Sequence, residues 1–181
     1  MTVSPVESAL AADLRRAIRD VPDFPKPGIV FKDITPVLAD PALFARCIDA
    51  LAEPYAGGRV THVAAIESRG FLLGGPVARR LGAGLVPVRK RGKLPYATRA
   101  VEYALEYGTD QLEMHVDACA PGARVVVVDD VLATGGTAAA ACRLVEDVGG
   151  TVVGCAFLIA LAFLPGLETL GTRQPHALVT Y

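Results

Sequence analysis

The sequence contains no tryptophan and has few aromatic residues and few cysteines. Only 6% of its 181 residues are aromatic, and its four cysteines lie far apart, without a C-x-x-C pair. We therefore expect free thiols in a reducing compartment, and neither a disulfide framework nor a zinc site. Residues 1–20 carry charges throughout and no run of about 18 apolar residues occurs, so we expect neither a secretion signal nor a membrane span.

An excess of charge of one sign is also missing. The 18 basic and 19 acidic residues give a formal net charge of −1, so no overall positive field favours nucleic acid or a membrane surface as partner. Hydrophobic residues make up 52% of the chain, which excludes a disordered protein. The length suits a single domain with one core. We expect a cytoplasmic protein that binds neither nucleic acid nor membrane.

What the sequence does contain is a regular alternation of strand-length apolar runs with segments of helical period. The predicted helices cover residues 8–18, 71–81 and 137–148, with a further one starting at Pro41 after Asp40 as N-cap. The predicted strands cover residues 62–66, 85–88, 124–128, 151–161 and 177–180. Continuous apolar strands separated by helices predict an α/β fold, a mostly parallel sheet with helices on both faces. Pro87 cannot donate a ladder hydrogen bond, so its strand should be interrupted or at an edge there.

Three polar segments follow predicted strands, and they are the candidates for a binding site. They are residues 67–70, 89–93 and 129–137. Ligands of open parallel sheets bind beyond the carboxyl ends of the strands. We therefore expect the three segments to converge on one rim of the sheet.

The third of these segments has the features of a phosphate cradle. Ala133, Thr134, Gly135, Gly136 and Thr137 lead into a predicted helix. Glycines let the backbone approach an anion, and the free N–H groups and positive dipole end of the helix attract it. The alternative is an ordinary strand-to-helix turn that a threonine caps.

Two adjacent carboxylates, Asp129 and Asp130, precede the cradle. At the end of a buried strand they repel each other and lose hydration, so they need sugar hydroxyls, a cation or a basic side chain as partner. We expect them to lie beyond the strand, where both can turn toward a ligand. A nucleotide triphosphatase loop is excluded because Lys93 lacks the required glycine spacing, and residues 82–84 lack the third glycine of a dinucleotide fingerprint.

Four segments carry a resemblance to a known family. Residues 125–137 (VVVVDDVLATGGT) resemble the phosphoribosyl pyrophosphate-binding motif of the type I phosphoribosyltransferases. Residues 24–34 (FPKPGIVFKDI), 67–71 (ESRGF) and 89–95 (RKRGKLP), with LEYG at 105–108, narrow the resemblance to the adenine phosphoribosyltransferases. The matches stand in order and span about residues 23–161.

The resemblance implies transfer of a phosphoribosyl group from phosphoribosyl pyrophosphate to adenine, with Mg²⁺ held mainly by substrate and water and no dedicated protein metal site. It implies that ribose and 5′-phosphate bind Asp129, Asp130, Ala133, Thr134, Gly135, Gly136 and Thr137, and that pyrophosphate binds Ser68, Arg69, Arg89, Lys90 and Lys93. It also implies a homodimer in which Arg89 and Lys90 reach the partner's site. For any one of these cations, a solvated basic surface is the alternative.

The resemblance implies base contacts and a catalytic acid as well. Phe31 stacks on adenine, the backbone of Val30 and Lys32 reads its polar edge, and Leu161 covers its other face. Glu106 is the matching catalytic glutamate, and Tyr107 beside it belongs to a lid. A core aromatic is the alternative for Phe31, and an exposed loop acid for Glu106.

The expected organisation is one domain, residues 1–181, with a core over about 35–160. A small hood comes from about 23–34 and 160–181, and a mobile lid covers about 91–108. Family members often carry an acid at Ala160 and a basic residue at Leu167, so the hood departs from the family pattern.

Two other functions stay open. One is an enzyme for an oxopurine base, although residues 153–164 lack the lysine that such enzymes use there. The other is a non-catalytic sensor of phosphoribosyl pyrophosphate that binds nucleic acid, although only about twenty residues precede Asp23.

Overall fold

The structure is a computed structural model, and it describes residues 5–104, 109–173 and 175–181. The predicted catalytic Glu106 and the predicted lid residue Tyr107 fall outside the described residues.

Helices and strands alternate through most of the described chain. The helices are α1 Pro5–Ala17, α2 Thr35–Ala39, α3 Pro41–Ala52, α4 Arg69–Leu81, α5 Gly136–Asp147 and α6 Gly166–Leu170. The strands are β1 Arg19–Pro22, β2 Val30–Asp33, β3 His62–Ile66, β4 Gly84–Lys90, β5 Thr98–Ala104, β6 Thr109–His115, β7 Arg124–Leu132, β8 Thr151–Ala160 and β9 Pro175–Thr180. In the part of the chain that is described, no helix is both long and apolar enough to span a membrane.

Seven strands form the central sheet, in the order β5-β6-β4-β3-β7-β8-β9. The five strands β4, β3, β7, β8 and β9 run parallel to one another. Strand β6 runs antiparallel to both of its neighbours, β4 and β5. Alternate valines of β7 face opposite sides: Val125 and Val127 pack in one buried cluster with α5, Val126 and Val128 in another with α1, α3 and α4. The predicted mostly parallel sheet with helices on both faces is therefore confirmed, and β1 and β2 form a separate antiparallel pair.

Local sequence signals account for several element boundaries. The Asp40 carboxylate accepts hydrogen bonds from the backbone N–H groups of Ala42 and Leu43, both at 2.9 Å, so it caps α3 as predicted. Pro87 pairs with β3 on one side, while on the other side β6 joins β4 only at Arg89 and Lys90. Pro87 thus lies at a locally unpaired edge, as its missing N–H requires.

Two strands extend further at their carboxyl ends than predicted. The expectation that Asp129 and Asp130 lie beyond the strand is wrong, because the ladder to β8 continues to the pair Leu132–Ala160 and keeps both acids within β7. Likewise, pairing with β6 makes Arg89 and Lys90 part of β4 and not of the following loop.

The hairpin of β5 and β6 was not predicted. Its first strand lies inside the segment expected to form the lid, and Val101 of that strand is buried in the core with Leu112 and Met114 of β6. Isolated buried positions within a polar segment give no clear sequence period, so only the pairing with β6 identifies the strand. The lid itself stays a prediction.

Candidate active site

The carboxyl ends of β4, β3 and β7 lie side by side at one rim of the sheet. The segments that follow or end these strands meet there, as predicted. The N–H of Glu67, just after β3, donates to the carbonyl of Val88 in β4 at 2.9 Å. The peptide bond from Glu67 to Ser68 is cis, and α4 begins at the next residue, Arg69.

Gly70 allows the start of α4 to lie directly against β7. A Cβ atom at this position would stand 2.9 Å from Oδ1 of Asp129 and 3.0 Å from the carbonyl oxygen of Val128. A side chain here would therefore force the Asp129 carboxylate to move and press on the Val128 carbonyl, and glycine avoids both contacts. This close approach places Arg69 beside the acid pair.

The acid pair has the basic partner that its burial requires. Asp130 is only 3% exposed, and the Nε of Arg69 donates to its Oδ2. Asp129 accepts a hydrogen bond from the N–H of Asp130 at 2.9 Å. Burial raises the pKa of Asp129 well above its usual value, and the neighbouring Asp130 raises it further. Ionisation of both carboxyl groups at once is therefore unfavourable, and the pair is suited to ligands that donate hydrogen bonds.

Arg69 also links the acid pair to Phe31 of β2. Its guanidinium carbon lies 5.1 Å from the centre of the Phe31 ring, and the ring of Phe24 meets Phe31 edge-on at 5.2 Å. Phe31 is half-buried and belongs to neither of the two buried clusters of the described chain. A core role for Phe31 is therefore not supported, and its position beside Arg69 fits a surface on which a flat group stacks.

Two of the predicted cations share one buried carboxylate. Nε of Arg89 donates to Oε2 of Glu67 at 2.9 Å, and Nζ of Lys93 contacts Oε1 of the same residue, whose side chain is 6% exposed. Burial would raise the pKa of Glu67, but the hydrogen bonds from Lys93 and Arg89 outweigh it and hold the pKa below its usual value. A backbone hydrogen bond from Lys90 also lowers the pKa of Glu67, but the side chain of Lys90 lies elsewhere, since its Nζ pairs with Asp110 of β6 at 3.0 Å.

Sequence reasoning missed the part played by Glu67. The signal was present, because an acid directly after a buried strand needs a cation as partner. Four cations lie in residues 89–93, at the end of the neighbouring strand and just after it. Only the pairing of β3 with β4 shows which of these cations meet the acid.

The predicted phosphate cradle forms the turn between β7 and α5. Gly135 has a φ of +84°, and a Cβ on it would lie 2.8 Å from Cβ of Thr169 and 3.0 Å from the carbonyl oxygen of Gly166. Glycine is therefore required both by the backbone conformation and by the packing of α6. The hydroxyl of Thr169 donates to the carbonyl of Thr134 at 2.9 Å and holds the turn in place.

No side chain among the described residues caps α5. The alternative of a threonine-capped turn is thus not supported, and the first turn of α5 keeps N–H groups without a side-chain cap at the positive end of the helix dipole. This arrangement is suited to bind a phosphate.

The remaining predicted base contacts lie on β2 and at the end of β8. Val30 is 52% exposed, and the side chain of Lys32 pairs with Asp20 at 2.6 Å. The N–H of Leu161 donates to the carbonyl of Leu132 at 2.9 Å, so Leu161 lies at the carboxyl ends of β7 and β8. Within the described ranges, no group of three or more histidine, cysteine, aspartate or glutamate residues could hold a metal ion.

Comparisons with known proteins identify the family of this chain. Residues 33–162 match the family described as phosphoribosyl transferase domain. The adenine phosphoribosyltransferase of Myxococcus xanthus is 58% identical over 97% of this chain and 95% of its own length. The crystal structure of the enzyme of that name from Rhodothermus marinus superposes with a TM-score of 0.93, at 56% identity over 96% of this chain and 99% of that one.

A more distant structure was solved with ligands. The adenine phosphoribosyltransferase of Saccharomyces cerevisiae, complexed with an imino-altritol bisphosphate and adenine, has a TM-score of 0.89 and 39% identity, covering 94% of this chain and 99% of that one. Similarity at this level extends over nearly the whole chain and includes the fold as well as the sequence. The chain belongs to the adenine phosphoribosyltransferases, a family of transferases with the type I phosphoribosyltransferase fold.

Proposed function

We propose that this protein transfers the 5-phosphoribosyl group of phosphoribosyl pyrophosphate to adenine, forming AMP and releasing pyrophosphate. One observation carries the proposal: Arg69 contacts both Asp130 and Phe31, so a sugar position and a base position adjoin at one guanidinium. The cradle from Ala133 to Thr137 continues the same rim on the phosphate side. The names of the relatives favour adenine over an oxopurine base.

The ribose and its 5′-phosphate occupy β7 and the turn after it. The hydroxyls of the ribose donate to Asp129 and Asp130, and Thr134, Gly135, Gly136 and Thr137 hold the phosphate with Ala133. Because hydroxyl donors satisfy Asp130, they replace its bond to Arg69 and release that guanidinium toward the pyrophosphate.

The departing pyrophosphate gains negative charge as the bond from the anomeric carbon to its oxygen breaks. Ser68, Arg69, Arg89, Lys90 and Lys93 supply the donors and cations that stabilise this charge. A Mg²⁺ ion would enter this site with the phosphate groups and water as its main ligands, beside the carboxylates of Asp129 and Asp130. Bound in this way, the ion would neutralise part of the pyrophosphate charge.

Adenine lies between the hood strand β2 and the end of β8. Phe31 stacks on the ring, the backbone of Val30 and Lys32 reads its polar edge, and Leu161 covers its other face. Glu106 exchanges a proton with the imidazole-ring nitrogen opposite the one that attacks the anomeric carbon. Tyr107 and the lid over about residues 91–108 exclude water, which would otherwise hydrolyse the activated sugar.

We also propose that the protein is a cytoplasmic homodimer. Its four cysteines are free thiols, and Sγ of Cys142 and Sγ of Cys155 lie 3.6 Å apart without a bond, in keeping with a reducing compartment. In the dimer the side chain of Arg89 leaves Glu67 and that of Lys90 leaves Asp110, and both bind the substrate in the site of the other subunit.

Replacing the acid pair tests the proposed ribose site. Asp129→Asn together with Asp130→Asn should raise the KM for phosphoribosyl pyrophosphate at least tenfold, because the charge-assisted hydrogen bond from ribose to Asp130, which contributes about 1.5–3 kcal/mol, is lost together with a weaker one to Asp129. The assay supplies labelled adenine, hypoxanthine, guanine or xanthine with phosphoribosyl pyrophosphate and Mg²⁺. Transfer to an oxopurine base but not to adenine would contradict the proposed base, and an unchanged KM in the double variant would contradict the ribose site.

A further inference from the structure

Tyr181 contacts both elements that form the proposed adenine site. Its N–H donates to the carbonyl of Ala160 at 2.9 Å, and its own carbonyl accepts from the N–H of Ala162 at 2.8 Å. These two bonds continue the ladder between β8 and β9 and enclose Leu161, the residue proposed to cover one face of adenine. The backbone of Tyr181 therefore holds the β8 side of the site.

The ring of Tyr181 holds the β2 side. Nζ of Lys32 lies 4.0 Å from the centre of the ring and 2.6 Å from Oδ1 of Asp20, the residue that pairs with Lys32 across the β1–β2 hairpin. The Lys32 side chain is only 14% exposed. Its ammonium thus lies between a carboxylate and an aromatic face, a geometry that is favourable when the cation is partly desolvated.

The backbone of Lys32 is also the proposed reader of the polar edge of adenine, next to Phe31. The side-chain contacts of Lys32 thus limit the movement of the backbone that meets the base. Within the β1–β2 hairpin Asp20 moves together with Lys32, so it cannot fix the distance from β2 to the end of β8. The Tyr181 ring, whose backbone belongs to the β8 side, can do so.

We propose that Tyr181 is a positioning residue for the base: it sets the distance between strand β2 and Leu161, and so the width of the adenine site. The inference rests on the proposed base site. Tyr181 contacts the side chain of Lys32, which points to the opposite face of β2 from its neighbour Phe31, the residue that meets Arg69 of the acid-pair site. Tyr181 is therefore not placed to touch a reacting atom. Its loss should therefore affect adenine and leave the sugar phosphate largely unaffected.

Steady-state kinetics of three variants test the role. Tyr181→Ala should raise the KM for adenine about fivefold, as expected for a partly desolvated cation–π contact, with the KM for phosphoribosyl pyrophosphate changed less than about twofold. Tyr181→Phe keeps the aromatic face and should restore the adenine KM to within about twofold of the wild type. Tyr181→Leu keeps apolar volume without the ring face, and its adenine KM should be raised as much as that of Tyr181→Ala. The leucine variant therefore serves as the test if Tyr181→Ala does not fold.

Arg15→Ala is the matched control. Arg15 donates to the carbonyl of Thr180 at 3.1 Å, so it supports the same strand end without contacting the proposed base site. This control should lower the melting temperature at most slightly and leave the adenine KM unchanged. Equal increases in both KM values for Tyr181→Leu, or an unchanged adenine KM, would overturn the positioning role while the wild-type enzyme still uses adenine. Failure of the wild type to use adenine would instead overturn the proposed function and this inference with it.

Discussion

Glu67 is the residue on which two cations of the rim converge. Its carboxylate is almost fully buried and binds Arg89 and Lys93, and these contacts hold its pKa below the usual value against the effect of burial. A group with a lowered pKa in the folded state stabilises the fold at neutral pH, and this stabilisation disappears as pH falls through the lowered pKa.

Glu67→Gln should lower the free energy of unfolding at pH 7 by about 1–2 kcal/mol, because it leaves two partly exposed cations without their buried acid. The difference from the wild type should shrink as pH falls through the lowered pKa of Glu67, because the wild-type carboxyl is then protonated too. Urea unfolding at several pH values measures both effects. Asp49→Asn is the control, since the pair of Asp49 with Arg80 is exposed on both sides and should contribute at most about 0.5 kcal/mol.

Asp129 should behave in the opposite way. Burial and the neighbouring Asp130 raise its pKa, so its contribution to stability is fully present below about pH 4 and is lost as pH rises toward the raised pKa. Asp129→Asn should therefore increase the free energy of unfolding by about 1 kcal/mol at pH 7 and by less at pH 5, although it weakens substrate binding. Urea unfolding of the unliganded protein at both pH values checks this, and a variant less stable than the wild type at pH 7 would contradict it.

Among the elements, the contact between α4 and β7 matters most for the site. The first turn of α4 lies against Val128 and Asp129 only because Gly70 has no side chain. This contact brings Arg69 to Asp130, so packing between a helix and a strand sets the distance between a cation and an acid that are 61 residues apart in sequence.

Gly70→Ala should separate α4 from β7 and destabilise the protein by about 1–3 kcal/mol, as overpacking in a close contact does. It should also raise the KM for phosphoribosyl pyrophosphate, because Arg69 and the acid pair move apart. Thermal unfolding and kinetics measure the two effects. In Gly57→Ala, by comparison, the new Cβ meets no atom within 4 Å, and stability should change by no more than about 0.5 kcal/mol.

The elements also show where sequence patterns were sufficient. The N-cap Asp40 and the apolar run of β3 identified their elements because the signals are local. The carboxyl end of β7 could not be located in this way, since polar residues such as Asp129 and Asp130 predict the end of a strand. The strand continues because β8 provides hydrogen-bond partners as far as Ala160.

For the whole molecule, the proposed dimer makes a specific prediction about shared sites. The variant with Arg89→Ala and Lys90→Ala and the variant with Asp129→Asn and Asp130→Asn should each have low activity alone when phosphoribosyl pyrophosphate is kept well below their KM. Unfolding and reassembling an equal mixture should restore about a quarter of the wild-type activity, because about half of the dimers are mixed and each of these has one complete site. No recovery, with mixed dimers present by mass spectrometry of tagged chains, would mean that Arg89 and Lys90 act within their own subunit.

The sequence by itself determined the α/β alternation, the glycine-containing turn between β7 and α5, and the family, because apolar period, glycine placement and contiguous motifs are local properties of the chain. The tertiary structure decided which charges meet: Arg69 with Asp130, Arg89 and Lys93 with Glu67, and Lys32 with Tyr181. Such pairs depend on strand order, on the close approach of helix and strand, and on how far a ladder extends. These are relations between distant segments, and no local pattern encodes them.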